Sequence, residues 1–544
     1  MFEIASQAIT PAGFEDVARV EGWPVINDQY QAYLRDESKL TSEACDYIFF
    51  PRDEAEVAAV VLEMARRGVP LTVAGARTGL SGGSVPLRGA LLSLERLNAV
   101  EALYYVPHVE EWRVRAQSAV TLRDLNGMVL NKRFPELARG GDQADRAELA
   151  RFQAAPGDFF YPPDPTEMSA SLGGTVATNA SGARTYRFGD TRDWVRGIRV
   201  ILANGEVLDI PRGKYFASAN GRFTIFDSQG RGRQVRVPDY AMPRTKSTSG
   251  FFAAPHMDLI DLFIGAEGML GIITTVVVAL CPREPKCSVV QFTADDEQAL
   301  DLVESLRSQD GLPLDFLEFY SQKAIDLLRR RQAEEPAAMG MPPIPAQAGA
   351  AVFFEFAFDP LAARPDFSLL SQAVERAGLS LAQSWAGYEL REMARFKNFR
   401  HLLPETVNHL IAERKRLYPG LHKLGTDLAV PDDKLRPMWN VYQEALDQAG
   451  LEWLAFGHVG NNHLHINLLP RDMEDMQRGL ELYSRFAAQA VAFGGTVSAE
   501  HGIGKLKTKF LPEMYTPAQI AQMKAVKQAL DPQGLFNPGN IFLS

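Results

Sequence analysis

Two short segments in the C-terminal half concentrate side chains that bind metals or move protons. The first places three of the nine histidines, His458, His463 and His465, within eight residues. The second places Glu500 next to His501 among small residues. Neutral imidazoles with a carboxylate suit a divalent ion such as Zn²⁺, Mn²⁺ or Fe²⁺. Four histidines and a glutamate in two motifs therefore indicate a metal site, although one such histidine alone would more often be a core or turn residue.

The spacing of the histidines predicts how they meet. In a β-strand, His463 and His465 would share one face because side chains alternate. His458 would join that face only if the chain turned at residues 460–462, where Gly460, Asn461 and Asn462 favour a turn. An imidazole that titrates near neutrality can take a proton from a substrate hydroxyl whose pKa a metal has lowered. The pattern thus predicts metal-assisted proton abstraction.

Three glycine-rich segments precede these motifs. The first, 74–84, follows a predicted buried strand over 69–73, and its exposed backbone N–H groups could approach a pyrophosphate closely. It has neither the Gly-x-Gly-x-x-Gly pattern of dinucleotide-binding folds nor the Gly-Lys-Ser/Thr of phosphate loops. We interpret it as a phosphate-binding loop, the alternative being a plain surface turn. The others span 161–190 and 264–274.

Helix and strand patterns around these segments predict the elements that position them. Helical spacing covers 53–67, a strand is expected at 90–93, and Asn204-Gly205 predicts a hairpin turn. These features predict one large α+β domain with a long ligand groove. Prolines and charges at 282–286 indicate a boundary, and beyond it strands at 288–292 and 351–356 with a helix at 296–308 predict a second α+β layer.

Composition narrows the class of protein. A chain of 544 residues with 46% apolar and 23% charged residues is typical of a globular protein with two or three domains. A net charge of −10 argues against a nucleic-acid partner. Cys45, Cys281 and Cys287 are too few for a disulfide framework or an iron–sulfur cluster.

The start of the chain lacks a signal-peptide pattern, and the longest apolar run, 270–280, is too short to span a bilayer. We therefore expect a cytoplasmic protein, with peripheral membrane contact left open.

These motifs occur in the order seen in a known family. The segments 73–84, 162–166, 173–179 and 265–274 resemble the successive FAD-contacting segments of the vanillyl-alcohol-oxidase-type (PCMH) flavoproteins. Over most of residues 40–285 and 395–544 the chain is similar to their D-lactate, glycolate and D-2-hydroxyglutarate dehydrogenase branch. The resemblance implies an α+β fold in which a two-subdomain FAD-binding domain carries an α+β, ferredoxin-like cap.

The resemblance also implies domain limits and flavin-contacting residues. The expected units are an N-terminal helical extension (1–41), an FAD-binding domain (42–285), a cap with the metal site (286–510) and a C-terminal helix and tail returning to the flavin domain (511–544). The implied cofactor-binding residues are Gly75, Ala76, Arg77, Thr78, Gly79, Leu80, Gly82, Ser84, Pro163, Asp164, Thr166, Ser169, Gly173, Gly174, Asn179, Gly182, Glu267, Gly271, Ile272, Ile273 and Asn537.

Roles at the reaction centre follow from the same resemblance. It implies metal binding by His458, His465 and Glu500, with His501 as the general base. Arg400 corresponds to an arginine that binds the substrate carboxylate, the alternative being that it forms a surface salt bridge. Asn467 corresponds to a substrate-contact position.

The chain departs from the pattern of that family at two points. Its members usually show His-x-Gly-Asp-Gly-Asn-Leu-His, whereas this chain has Asn461, Asn462 and His463 in the middle, so one carboxylate is lost and one imidazole gained. That change leaves the ligand number and the identity of the metal open. Ala76-Arg77 replaces a glycine pair, so the arginine either faces the pyrophosphate or turns to solvent. The first loop has no histidine or cysteine, so the FAD is expected to be non-covalent.

The resemblance implies an enzyme that oxidises a small D-2-hydroxy acid, such as D-lactate, by hydride transfer to flavin N5. The electrons would pass to a cytochrome, a quinone or an electron-transfer flavoprotein, and the enzyme could be a homodimer. An oxidase that reduces O₂ would use the same residues. A non-catalytic FAD-binding subunit is a third alternative, but it predicts a degraded metal and base motif, which is intact here.

Overall fold

The computed structural model describes residues 3–335 and 340–543. Residues 1–2 of the expected N-terminal extension and residue 544 of the expected tail lie outside the described residues. Helices and strands are mixed throughout, as expected for an α+β protein. In the described ranges, no helix is both long and apolar enough to cross a membrane.

A four-stranded sheet with one long helix forms the first unit. Its strand order is Arg19–Glu21, Tyr47–Phe49, Ala90–Ser93 and Leu71–Ala74, and the last three strands are parallel. The helix Glu54–Arg67 begins where the Asp53 side chain accepts from the Glu56 N–H and ends at Gly68 in the left-handed conformation. The predicted helix and both predicted strands are therefore confirmed. The first glycine loop leaves the end of Leu71–Ala74.

A five-stranded antiparallel sheet forms the second unit. Its order is Val207–Pro211, Val195–Ile201, Ile272–Ala279, Glu111–Gln117 and Val100–Val106, which confirms the hairpin predicted at Asn204-Gly205. Two-residue strands Phe159–Phe160 and Cys281–Pro282 pair beside it. The helices of this unit are Leu122–Leu130, Pro135–Gly140, Gln143–Ala154, Leu172–Thr178, Thr185–Phe188, Thr191–Trp194 and Ile260–Phe263.

The N-terminal segment is not the helical extension expected for 1–41. Its described part contains one α-helix, Trp23–Gln29, but Ile4–Ala5 pairs with Arg222–Phe226, which in turn pairs with Gly232–Arg236. Arg19–Glu21 joins the first sheet. Pairing with distant strands satisfies the backbone hydrogen bonds of these residues, so tertiary contacts outweigh the local pattern.

An eight-stranded sheet forms the cap. Four strands run in the order Ser384–Gly387, Lys286–Thr293, Ala350–Ala357 and Leu314–Tyr320, the antiparallel 4-1-3-2 arrangement of a ferredoxin-like fold. The sheet continues through Trp453–His458 and His463–Leu468, with Leu424–Gly425 and Leu428–Ala429 at the edge. The predicted cap strands and the helix at 296–308 are confirmed. The cap helices are Asp296–Arg307, Gln322–Glu334, Ser368–Arg376, Leu390–Lys415, Leu435–Gln448 and Met473–Ala492.

The C-terminal segment runs back to the first unit. Helices Leu511–Met514 and Pro517–Leu530 lead into a tail that pairs with the strand Leu71–Ala74. The Leu71 N–H donates to the Leu535 carbonyl at 2.8 Å, and the Asn537 side-chain oxygen accepts from the Val73 N–H at 2.8 Å. The tail thus holds the strand from which the first glycine loop departs.

Candidate active site

A cavity lies where the two sheet units meet the cap. Its volume is about 310 Å³, within the roughly 300–1,000 Å³ of most small-molecule pockets. All three glycine segments contribute to its wall, and His458, His465, Glu500 and His501 line it as well. The expected flavin-contacting residues that line it are Gly75, Ala76, Arg77, Thr78, Gly79, Leu80, Ser84, Thr166, Gly173, Gly174, Glu267, Gly271, Ile272, Ile273 and Asn537.

Small residues allow neighbouring segments to pack closely at the cavity wall. The helix Leu172–Thr178 packs so tightly that a Cβ on Gly173 would overlap the Cβ of Ser118 and lie 3.1 Å from its Cα. Arg77 has a left-handed φ of 58°, and its guanidinium lies 4.3 Å from the centre of the Tyr33 ring, near Glu95. Arg77 therefore packs against Tyr33 and Glu95 at the cavity wall.

Several expected contact residues lie outside the cavity lining in the described structure. Asn179 ends the helix Leu172–Thr178, and its amide donates to Asp190 at 2.7 Å, so it organises the backbone of the second glycine segment. Gly182 packs against the Asp164 carbonyl. The residues outside the lining are Gly82, Pro163, Asp164, Ser169, Asn179, Gly182, Arg400 and Asn467.

A β-hairpin brings the three histidines together. In the strands Trp453–His458 and His463–Leu468, His458 pairs directly with His463, and His465 follows on the same face. The turn passes through a short 3₁₀ segment, Val459–Asn461, and through Asn462 in the left-handed conformation. The predicted shared face and the turn at 460–462 are both present, because alternation and turn residues are local properties of the sequence.

Glu500 meets the hairpin from a loop after the helix Met473–Ala492. Its carboxylate oxygens lie 3.3 Å from His458 Nε2, 3.7 Å from His463 Nδ1 and 4.0 Å from His465 Nε2. Lys246, which sequence reasoning missed, forms an ion pair with Glu500. Burial opposes the charge, but the Lys246 ammonium and the His458 ring hold the pKa of Glu500 well below its ordinary value. Glu500 is therefore an anionic ligand candidate.

His501 stands beside this cluster at the cavity wall. Its Nδ1 lies 3.3 Å from Asp427 Oδ2, and its ring is nearly parallel to that of His465, with centroids 5.9 Å apart. The side chain is about one-quarter exposed, so one edge of the ring faces the cavity. This arrangement suits a group that exchanges a proton with a bound molecule.

Asp427 is a second residue that sequence reasoning missed. It is buried and accepts hydrogen bonds from the Glu500 and His501 backbone N–H groups and from Lys507. Burial opposes its charge, but His501 and Lys507 hold the pKa of Asp427 well below its ordinary value. An acid inside the apolar run 424–430 was the signal that could have revealed it.

Arg400 reaches the cluster through another acid. Its Nε donates to Glu318 at 2.9 Å, and Glu318 lies 3.2 Å from His458 Nδ1. Burial opposes the charge, but Arg400 and His458 bring the pKa of Glu318 down to about 2. Asn467 is buried on the hairpin face of His465 and donates to its carbonyl at 3.0 Å. Asn467 thus contacts a candidate ligand directly, whereas Arg400 reaches one only through Glu318.

The donor set fits a divalent ion. One ligand atom each from His458, His463, His465 and Glu500 lie within 4.8 Å of one another. A tetrahedral zinc site with bonds of about 2.0–2.2 Å has ligand atoms about 3.3–3.6 Å apart, close to the spacing of Glu500 from these rings. Burial and the neighbouring His463 and His458 rings hold the pKa of His465 well below its usual value, so His465 is neutral, the form that binds metals.

The glycine-lined part of the cavity fits a flavin dinucleotide. Small side chains and backbone N–H groups allow a planar ring and a pyrophosphate to approach closely. Residues 75–84 contain no histidine or cysteine that could form a covalent link.

The sequence matches two family models along its length. Residues 45–138 and 147–211 match an FAD binding domain, and residues 283–541 match the C-terminal domain of FAD linked oxidases. The chain is 28% identical to a D-lactate dehydrogenase of Anaerostipes hadrus, over 99% of both chains. It is 26% identical to a D-2-hydroxyglutarate dehydrogenase of Stutzerimonas stutzeri, over 95% of both. A glycolate oxidase subunit GlcD of Bacillus subtilis is 25% identical, with 91% of this chain and 89% of that protein covered.

Among solved structures, the fold is similar to that of alkyldihydroxyacetonephosphate synthase. The TM-score is 0.58 at 15% identity, over 99% of this chain and 89% of that one. This likeness confirms the expected PCMH-type FAD-binding fold. Since both domain models match in order and the relatives align over nearly the whole chain, the protein belongs to the FAD-linked oxidoreductases of the D-lactate and D-2-hydroxyglutarate dehydrogenase type.

Proposed function

We propose that the protein oxidises a D-2-hydroxy acid of the lactate class to the 2-oxo acid, with non-covalent FAD and a divalent ion held by His458, His465 and Glu500. The observation that carries the proposal is that these ligands and His501 line the same cavity as the glycine segments. Bound FAD supplies the acceptor for the hydride from C2, and the ion supplies positive charge beside the substrate hydroxyl and carboxylate.

In this proposal His501 removes the hydroxyl proton. A proton kept on Nδ1 by Asp427, 3.3 Å away, leaves Nε2 with a lone pair. Nε2 takes the proton from the hydroxyl as the hydride leaves C2. The buried negative charge of Asp427 then stabilises the protonated ring.

Arg400 and Asn467 orient the substrate in the same proposal. Within the described hydrogen bonds, Arg400 uses only Nε, toward Glu318, so its two terminal nitrogens remain able to bind a carboxylate in the bidentate manner that guanidinium favours. Asn467 fixes the hairpin beside His465. The electron acceptor is proposed to be a cytochrome, a quinone or an electron-transfer flavoprotein.

The central test uses the absorbance of bound FAD. Adding D- and L-2-hydroxy acids anaerobically to the FAD-loaded protein should bleach the flavin band with a D-acid. H501A should stay yellow and folded but reduce its flavin more slowly, by on the order of a hundredfold or more, because the base is lost. H409A is the matched control, since His409 is an exposed helix residue.

Two results would contradict this proposal. Flavin that no hydroxy acid reduces would exclude the reaction, and wild-type rates in H501A would remove His501 from the mechanism. Rapid reoxidation of the reduced flavin in air, with release of peroxide, would replace the dehydrogenase with an oxidase.

A further inference from the structure

His463 is a buried imidazole beside the candidate metal ligands that the three-ligand assignment leaves unused. It is 0% exposed, and its Nδ1 has no hydrogen-bond partner among the described residues. Buried polar groups are nearly always satisfied, and an unsatisfied one needs an explanation. A bound ion would provide that explanation.

The position of Asp427 decides which nitrogen of His463 is available. Nε2 lies 3.1 Å from Asp427 Oδ1, while Nδ1 lies 3.7 Å from Glu500 Oε1. A proton shared between Nε2 and the carboxylate leaves the Nδ1 lone pair on the side of the ligand cluster. Carboxylates that hold the second nitrogen of a ligating histidine in this way are common in metal sites.

We propose that His463 Nδ1 is a fourth protein ligand of the divalent ion. We further infer that Asp427 positions two imidazoles with one carboxylate, since Oδ1 faces His463 and Oδ2 faces His501. This inference rests on the proposed function, because it concerns the same ion. The inference adds one nitrogen ligand to the site, and this ligand changes which metal ion the site prefers.

Three imidazoles change what the site prefers. Nitrogen ligands favour the later first-row ions, so the site should select Zn²⁺ or Co²⁺ over Mn²⁺ or Mg²⁺, which prefer oxygen. With four protein ligands, a substrate oxygen would enter as a fifth ligand, and zinc sites can expand to five-coordinate. His463 should therefore tighten metal binding without closing the site.

Lys246 is a competing cation at the same carboxylate. Its ammonium contacts Glu500 Oε1 and donates to the Gly182 carbonyl at 3.1 Å. The ion and the ammonium therefore compete for this oxygen, and extra nitrogen ligands favour the ion in that competition.

The test measures metal binding directly. FAD-loaded wild type, H463N, D427N and the control H409N are stripped with a chelator and titrated with Zn²⁺, Mn²⁺ and Co²⁺. We expect H463N to lose Zn²⁺ affinity by on the order of a hundredfold, with a smaller loss of Mn²⁺ affinity, and D427N to lose roughly 10–100-fold. The Co²⁺ absorption bands should change in H463N, and H409N should match wild type.

Other results of these titrations would contradict the fourth ligand or the ion itself. Unchanged Zn²⁺ affinity and Co²⁺ bands in H463N would overturn the fourth ligand while leaving the metal-dependent reaction standing. Wild type that binds no ion would overturn both, whereas flavin bleaching by substrate tests the redox reaction separately. If H463N does not fold, X-ray absorption of Zn²⁺-loaded wild type decides: three imidazoles support the proposal, and two overturn it.

Discussion

At the scale of single residues, buried acids hold the imidazoles of the active site in fixed orientations. Glu318 lies against His458 Nδ1 and Asp427 against His501 Nδ1, so each ring presents its other nitrogen to the cluster or the cavity. A buried carboxylate is stable only while its partners are present, because unpaired charge is costly away from water. The positive charges of Arg400 and Lys507 therefore stabilise the buried carboxylates of Glu318 and Asp427.

The pair of Arg400 and Glu318 allows a stability prediction. R400M should lower the free energy of unfolding by about 3–5 kcal/mol, because it leaves the Glu318 charge buried without its guanidinium partner. Urea denaturation followed by circular dichroism measures the change. R66M is the control: Arg66 is 70% exposed in its pair with Glu63, so losing it should change the free energy of unfolding far less. A loss in R400M no larger than in R66M would contradict the structural role.

At the scale of elements, tight packing of the helix Leu172–Thr178 positions the second glycine segment. Gly173 touches Ser118 at the end of the strand Glu111–Gln117, so the helix lies closer to that strand end than any side chain would permit. The same segment lines the cavity. Close approach of backbone at this point therefore shapes both the fold and the cavity.

A methyl group at Gly173 tests this packing. G173A should weaken FAD binding by on the order of tenfold or more, because overpacking of about 1–3 kcal/mol pushes the helix away from Ser118. A fluorescence titration of the apoprotein with FAD measures the affinity. G127A is the matched control: Gly127 is also helical and its added Cβ would meet nothing within 4 Å, so this variant should bind FAD normally. Equal affinities in both variants would exclude the packing argument.

At the scale of the whole molecule, Glu267 joins three parts of the chain. Its side chain accepts from the Ile503 and Gly504 N–H groups, both at 2.7 Å, just after His501. Its backbone carbonyl accepts from Asn537 and Asn540 of the tail. Glu267 itself lies in the third glycine segment. One residue thus connects the third glycine segment, the loop that carries Glu500 and His501, and the C-terminal tail.

This connection should depend on pH. Burial raises the pKa of Glu267 from 4.5 to about 7, so the folded protein holds the proton more tightly than the unfolded chain does. The resulting stabilisation is complete below pH 4.5 and is lost as the pH rises through 7, a change of about 3 kcal/mol. The unfolding free energy of wild type should therefore fall between pH 5 and 8 relative to that of E267Q. Parallel curves for the two proteins would refute the assignment.

Local patterns were enough to predict much of this molecule. The glycine segments, the helix Glu54–Arg67, the hairpin at Asn204-Gly205 and the shared face of His463 and His465 follow from turn residues and side-chain periodicity. These features depend on neighbours within a few residues, so sequence alone determined them. The motif order also determined the family and the fold class.

Tertiary structure decided how charges are paired. Lys246 meets Glu500 across 254 residues, and Asp427 reaches the His501 N–H across 74, although nothing in their own segments requires either contact. Strand pairing likewise drew the N-terminal residues into two sheets, against the expected helices. The reason is physical: the free energy of a buried charge or an unpaired backbone group depends on what packs against it, and that partner comes from distant chain.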